Sequence, residues 1–91
     1  MGKKKVLLKS EDKRSLVEVA KFLRDLADKV ETNDLILSQG KKKIEVPFPD
    51  IVALEFELKE NKKKKKGTKR QLEIEIEWYP DGKNQETIQV G

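Results

Sequence analysis

QLEIEIEWYP, residues 71–80, is the stretch of this chain that decides the fold. Leu72, Ile74 and Ile76 alternate with glutamates, and the run leads to Trp78, the only tryptophan in the chain. An alternation with a period of two predicts a β-strand that has one apolar face and one charged face. A sheet with one dry side and one wet side therefore accounts for a row of carboxylates directly behind an apolar row.

The stretch IVALEFELKE, residues 51–60, carries the same alternation. The lysine-rich stretch NKKKKKGTKR, residues 61–70, is predicted to be a loop that joins the two strands into an antiparallel hairpin. Keeping both apolar sets on one face pairs Leu54 with Ile76 and Phe56 with Ile74, although a register shifted by two is equally compatible. The predicted apolar face consists of Val52, Leu54, Phe56, Leu58, Leu72, Ile74, Ile76 and Trp78.

A helix is predicted before these strands. Ser15 and Glu18 have the spacing of a capping box, in which each side chain accepts a hydrogen bond from the other residue's backbone amide. The apolar residues that follow recur at steps of three and four, which is typical of a helix with one apolar stripe. The stripe consists of Leu16, Val19, Ala20, Leu23, Leu26, Ala27 and Val30.

Weaker signals complete the predicted fold. Residues 6–8 indicate a short opening strand, and residues 35–46 indicate a hairpin with its tip at Gln39 and Gly40, ended by prolines 47 and 49. Residues 80–91 are predicted to form a flexible tail or a weak edge strand around Thr87 and Ile88. The expected fold is α+β with two layers: a four- to five-stranded, mostly antiparallel sheet covered on one face by a single amphipathic helix, in β-α-β-β-β-β order.

Composition limits the function. The chain has 91 residues, 42% of them charged, a formal net charge of +4, and neither cysteine nor histidine. These counts predict one domain with no disulfide, no thiol nucleophile and no thiolate metal site, in a reducing cytoplasm. No apolar run is long enough for a signal core or a membrane span. We expect a monomer with no catalytic residues, no metal and no cofactor.

Three stretches together resemble a known family. KSEDKRSLVEVAKFLRDLADKV, LEFELKE and LEIEIEWY, which lie within residues 3–79, are similar to the Amphi-Trp domain, a small family named for an amphipathic strand that ends in tryptophan. The EIEIEW element is the most specific part of the match. The resemblance implies the extent of the domain and the strand that ends at Trp78, and it carries over no catalytic or ligand-binding residue.

The glutamates are the first candidate for a site. Glycosidases need a carboxyl whose pKa is raised by apolar surroundings, and calcium sites need oxygens that converge from a loop. The alternation indicates neither, so we interpret the glutamates as a solvated outer face, which either resists stacking of sheets or docks a cationic partner. The residues of this candidate acidic face are Glu55, Glu57, Glu73, Glu75 and Glu77.

The lysines are the second candidate. In an up-and-down meander the loops at residues 39–43 and 61–69 lie at the same end of the sheet, and such a concentration of positive charge attracts phosphate backbones. No aromatic residues lie among the lysines, so reading of bases is not indicated, and a flexible, solubilising loop is the alternative. The candidate contacts are Lys41, Lys42, Lys43, Lys62, Lys63, Lys64, Lys65, Lys66, Lys69 and Arg70.

Trp78 shares the apolar face, so we predict that it packs against the helix rather than forming an exposed partner site. A full set of folding signals without a catalytic set favours a non-enzymatic interaction or accessory domain that docks a protein partner. The alternative hypothesis is sequence-nonspecific nucleic-acid binding through the lysine-rich hairpin tips.

Overall fold

The structure is a computed structural model that describes residues 3–81 and Val90. The chain divides into two compact units, Met1–Pro47 and Phe48–Gly91, each of which is described by itself. The first unit contains helix α1 (Leu16–Glu31) and strands β1 (Leu35–Gln39) and β2 (Lys42–Val46). The second contains strands β3 (Ala53–Lys63) and β4 (Gly67–Glu77). The predicted α+β class is confirmed.

Helix α1 begins as predicted at a capping box. The Ser15 hydroxyl accepts a hydrogen bond from the backbone N–H of Glu18 at 3.2 Å, and the Glu18 carboxylate accepts one from the backbone N–H of Ser15 at 3.4 Å. Two amides that have no partner inside the helix are satisfied in this way. The helix contacts β1 within its own unit, although Leu16, Val19 and Leu23 of its apolar stripe are exposed.

Helix α1 ends at a feature that the sequence did not indicate. Asn33 adopts φ 53°, and its N–H donates to the carbonyl of Val30 while the N–H of Asp34 donates to the carbonyl of Lys29. These two bonds are the pair of a Schellman motif, in which the residue after the cap takes the left-handed conformation. Asparagine replaces the usual glycine there because its short polar side chain tolerates positive φ.

The predicted first hairpin is present, but its tip is one residue later than the predicted Gln39 and Gly40. Strands β1 and β2 pair antiparallel from Leu35 opposite Val46 to Gln39 opposite Lys42, which leaves Gly40 and Lys41 as a two-residue turn. Gly40 has φ 60°, as the first position of a type II′ turn requires.

The predicted opening strand at residues 6–8 is wrong. These residues belong to no strand; instead the Lys42 ammonium donates to the carbonyl of Leu7 at 3.2 Å, and the Gln39 amide donates to that of Lys9 at 2.8 Å. The segment is therefore tied to the hairpin through side chains, and a strand needs backbone partners along its length.

The second hairpin has the predicted register. Leu54 lies opposite Ile76 and Phe56 opposite Ile74, so the alternative register shifted by two is excluded. The predicted long loop over residues 61–70 is wrong, because the ladder continues to Lys63 opposite Gly67 and leaves only residues 64–66 as the turn. Gly67 closes this turn with φ 80°, a conformation that glycine adopts readily and residues with a side chain rarely adopt.

The predicted single sheet is not confirmed. The described strands form two separate two-stranded antiparallel sheets, β1 with β2 and β3 with β4. The proposed edge strand near Thr87 and Ile88 lies outside the described residues.

The prediction that the apolar side chains are buried is wrong. Among residues 3–81 and Val90, none is fully buried. The side chains of Leu54, Phe56, Leu58, Leu72 and Ile74 are 51% to 70% exposed. The physical reason is that a two-stranded hairpin has no second layer of its own, and the described part of the second unit contains no element that covers this face.

Candidate functional site

The β3–β4 hairpin separates apolar and acidic chemistry onto its two faces. The apolar face consists of Leu54, Phe56, Leu58, Leu72, Ile74, Ile76 and Trp78. The glutamate face, on the other side, consists of Glu55, Glu57, Glu73, Glu75 and Glu77. The division arises because successive side chains of a strand point to opposite sides and the register keeps like positions together.

The structure brings the predicted glutamates together in cross-strand pairs. Glu55 lies opposite Glu75 and Glu57 opposite Glu73. Carboxylate oxygens of Glu55, Glu75 and Glu77 all lie within 4.8 Å of one another. The pKa of Glu77 is raised, first because its protonated carboxyl donates a hydrogen bond to Glu75 and then because of the negative charge of Glu75, with a smaller effect of Glu55. This end of the face is therefore electrostatically strained.

Lys59 reduces the electrostatic repulsion between the other cross-strand pair, Glu57 and Glu73. Its ammonium lies 3.1 Å from a carboxylate oxygen of Glu73 and 3.7 Å from one of Glu57. The hydrogen bond to Glu73 and the charges of Glu57 and Glu73 raise the pKa of Lys59. Lys59 was not among the residues predicted for the acidic face, although it follows Glu57 by two positions on the strand and therefore shares its face.

The three clustered carboxylates do not by themselves make a metal site. Glu55, Glu75 and Glu77 are all exposed, whereas calcium takes six to eight oxygens, usually with help from backbone carbonyls of a loop. The direction of the Glu77 pKa shift suits a general acid, but the exposed position of its carboxyl does not provide the apolar surroundings that acid catalysts use.

Trp78 lies half-buried at the base of the hairpin. Its ring centroid is 4.7 Å from that of Phe48, with the rings tilted by 54°. This separation is within the range of favourable aromatic pairs. This contact lies within the second unit.

A shallow groove lies beside Trp78, and the sequence analysis did not anticipate it. It is lined by Ile51, Val52, Ile76, Glu77 and Trp78. The groove lies where the ladder ends, since β3 begins at Ala53 and β4 ends at Glu77. Apolar contact surface and negative charge are therefore adjacent at the base of the hairpin.

The far end of the same hairpin is basic. The lysine tip consists of Lys62, Lys63, Lys64, Lys65, Lys66 and Lys69. Within the described residues these six side chains form no ion pair, whereas Arg70 pairs with Glu60 at 2.8 Å. Lys63, Lys65, Lys66 and Lys69 line a common groove with Thr68.

The predicted lysines of the first hairpin are in the other unit. Lys41 is in the β1–β2 turn, Lys42 begins β2, and Lys43 lies opposite Ser38. The expectation that they share one end with the lysine tip depended on a single sheet, which is not confirmed.

Comparisons with known proteins identify the family. Among the described residues, no helix is long and apolar enough to cross a membrane. Neither the curated proteins nor the solved structures contain a match to this chain. The family model of the Amphi-Trp domain matches residues 1–91, which include β4 and the Trp78 that follows it. The chain therefore belongs to the Amphi-Trp domain family.

Proposed function

We propose that this chain is a non-enzymatic accessory domain that docks a protein partner on the apolar face of the β3–β4 hairpin. The observation that carries the proposal is the exposure of five large apolar side chains, 51% to 70% each, on one continuous face. Contiguous apolar patches of this kind are rare on soluble monomers and mark interaction surfaces. A hairpin of two strands is also marginally stable alone, so covering this face stabilises it.

The proposal keeps one part of the finer fold predicted from the sequence, a single sheet of four strands in which β2 pairs with β3. It changes the other part: α1 lies above the β1–β2 half only, instead of covering the whole apolar face. Four strands spaced by about 4.8 Å span roughly 19 Å, whereas a helix is about 10–12 Å wide. One helix above β1 therefore leaves the β3–β4 half open to a partner. Interstrand nuclear Overhauser effects between β2 and β3 test the arrangement, and their absence would contradict it.

The partner in this proposal carries apolar anchors flanked by lysine or arginine. The groove at the base of the hairpin has the carboxylate of Glu77 among its lining residues, beside Ile76 and Trp78, whereas Glu75 lies on the opposite face. A basic group beside the anchors pairs with the Glu77 carboxylate at the edge of the apolar face, and complementary charge also accelerates association. The lysine tip repels such a partner, which directs docking to the base of the hairpin.

A synthetic peptide tests this surface directly. The probe is an 18-residue amphipathic helix of leucine and lysine. Binding is followed by the fluorescence of Trp78, the only tryptophan in the chain. We expect Phe56→Ser to weaken binding about tenfold to a hundredfold, because burying such a side chain contributes about 1.5–3 kcal/mol.

The matched control is Val17→Ser, which truncates another exposed apolar side chain, on α1. It should change the affinity by less than about twofold, and a leucine–glutamate peptide should bind the native chain much more weakly. Equal loss in Phe56→Ser and Val17→Ser would contradict the proposal. Dimerisation of the free chain through Phe56, seen in analytical ultracentrifugation, would contradict it as well, because the occupant would then be a second copy.

A further inference from the structure

The lysine tip is a concentration of positive charge at the end of the β3–β4 hairpin. All six of its lysines are concentrated within about the last third of the hairpin, beyond the Glu60–Arg70 ion pair. The nearest carboxylates already form ion pairs: Glu60 pairs with Arg70, and Glu57 and Glu73 pair with Lys59. The tip therefore presents positive charge that no carboxylate of the described residues neutralises by a direct ion pair.

The ladder holds these lysines more rigidly than a long loop would. Strand pairing reaches Lys62 opposite Thr68 and Lys63 opposite Gly67, so only residues 64–66 form the turn. Lys62 lies on one face of the ribbon, and Lys63 and Lys69 lie on the other. Positive charge thus radiates from both faces and from the end of a narrow, two-stranded ribbon.

We propose that the lysine tip binds the phosphate backbone of double-stranded DNA without reading its sequence. A two-stranded ribbon fits the major groove, which is about 12 Å wide, and phosphates then flank both of its faces. Duplex DNA carries one negative charge per about 1.7 Å of axis, so ammonium groups release many counterions there. The turn glycine, Gly67, adds no side chain that hinders close approach.

Two features of the tip distinguish duplex DNA from other polyanions. Residues 59–71 contain no aromatic residue, so the tip has no platform on which the bases of a single strand stack. Residues 59–71 also contain no large apolar residue that inserts into a membrane, and lysines on opposite faces do not all meet a flat anionic surface. The deep, narrow major groove of duplex RNA does not admit the ribbon.

The experiment is a fluorescence anisotropy titration of the full chain with a labelled DNA duplex at several salt concentrations. About four phosphate contacts give a slope of roughly −3.6 in log K against log salt, or about a hundredfold loss between 50 and 200 mM. A second duplex of unrelated sequence should bind within about threefold, and a single strand of equal length more weakly.

Two triple variants distinguish an effect of the lysine tip from an effect of the net charge of the chain. Lys63→Gln, Lys65→Gln and Lys66→Gln together lower the charge by three, as do Lys3→Gln, Lys4→Gln and Lys5→Gln together. The tip variant should flatten the slope by about two to three, and the N-terminal variant by less than about one. Circular dichroism establishes that both variants keep their strands.

Four results would overturn the inference. The first three are equal loss in the two variants, tighter binding of the single strand than of the duplex, and no duplex binding at 50 mM salt. Binding to phosphatidylserine vesicles with no binding to DNA would also overturn it, because the polyanion would then be a membrane. None of these results bears on docking at the apolar face. Docking is measured separately, with the peptide and the variant Phe56→Ser, which leaves the lysine tip intact.

Discussion

Phe56 lies opposite Ile74 across the β3–β4 ladder, and both side chains are more than half exposed, at 64% and 51%. An aromatic side chain opposite a β-branched one is a favourable cross-strand pair, worth roughly 0.2–1 kcal/mol. The pair sets the register of the hairpin, yet most of its apolar surface still faces solvent. A partner can bury this remaining apolar surface, which is why we propose that docking takes place on this face.

Charge reversal at position 55 should stabilise the hairpin. Glu55 lies opposite Glu75, so Glu55→Lys replaces a repulsive pair with an attractive one and should raise the free energy of unfolding by about 0.2–1 kcal/mol. Urea denaturation followed by Trp78 fluorescence measures the change.

The control for this variant has the same change in charge. Glu60→Lys removes the ion pair with Arg70 and sets two cations opposite each other, so it should destabilise the hairpin. If both variants shift the midpoint in the same direction, net charge rather than cross-strand pairing governs the stability of the hairpin.

The glutamate face should make stability depend on pH. The pKa of Glu77 in the folded chain is raised above its ordinary value of 4.5, so the folded state binds this proton more tightly than the unfolded state. The stabilising contribution is fully present below pH 4.5 and is lost as pH rises through the raised pKa. Thermal melts from pH 4 to 7 measure it.

The variant Glu77→Gln isolates this dependence. The amide of the introduced glutamine does not titrate, so the difference in melting temperature between this variant and the native chain should change across the same pH interval. Glu31→Gln, on α1, is a control with the same loss of one carboxylate. A difference between Glu77→Gln and native chain that stays constant from pH 4 to 7 would contradict the raised pKa.

The turn glycine should tolerate asparagine better than valine. Gly67 has φ 80°, and nothing lies within 4 Å of where a Cβ would stand, so the cost of substitution is conformational and not steric contact. Left-handed backbone costs an L-residue roughly 1–2 kcal/mol, and asparagine less than others. Gly67→Val should therefore destabilise the hairpin by at least that amount, and Gly67→Asn by less.

Chemical denaturation of both variants measures these costs. Thr68→Val, at the next position on the strand, is the control for adding a β-branched side chain near the turn. Equal stability of Gly67→Val and the native chain would show that the turn does not need positive φ.

The hairpin was predictable because its signal is local. Alternation with a period of two specifies which side chains share a face, and matching the apolar faces of the two strands restricts the register to that of Phe56 opposite Ile74 or its neighbours. The length of the turn was missed because lysines 62 and 63 continue the strand without apolar alternation. Gly67 was the remaining signal, since a glycine after a polar run often closes a short turn.

The covering layer was not predictable for a different physical reason. Alternation shows which side of a strand is apolar, but not which element covers it, since that depends on contacts distant along the chain. The same limit applies to the glutamates: their common face followed from the sequence, whereas the 4.8 Å cluster of Glu55, Glu75 and Glu77 required side-chain positions. The Schellman end at Asn33 was missed because glycine is the usual residue there.

The most direct test of the docking surface is the reactivity of single cysteines on opposite faces. The chain has no cysteine, so Leu58→Cys and Glu57→Cys each introduce a unique thiol, the first on the apolar face and the second on the glutamate face. In the free chain, we expect both thiols to react with a maleimide. Saturation with the leucine–lysine peptide should slow labelling of Leu58→Cys by at least about tenfold and leave Glu57→Cys nearly unchanged. Protection of Glu57→Cys alone, or a Leu58→Cys thiol that is already unreactive in the free chain, would contradict the account.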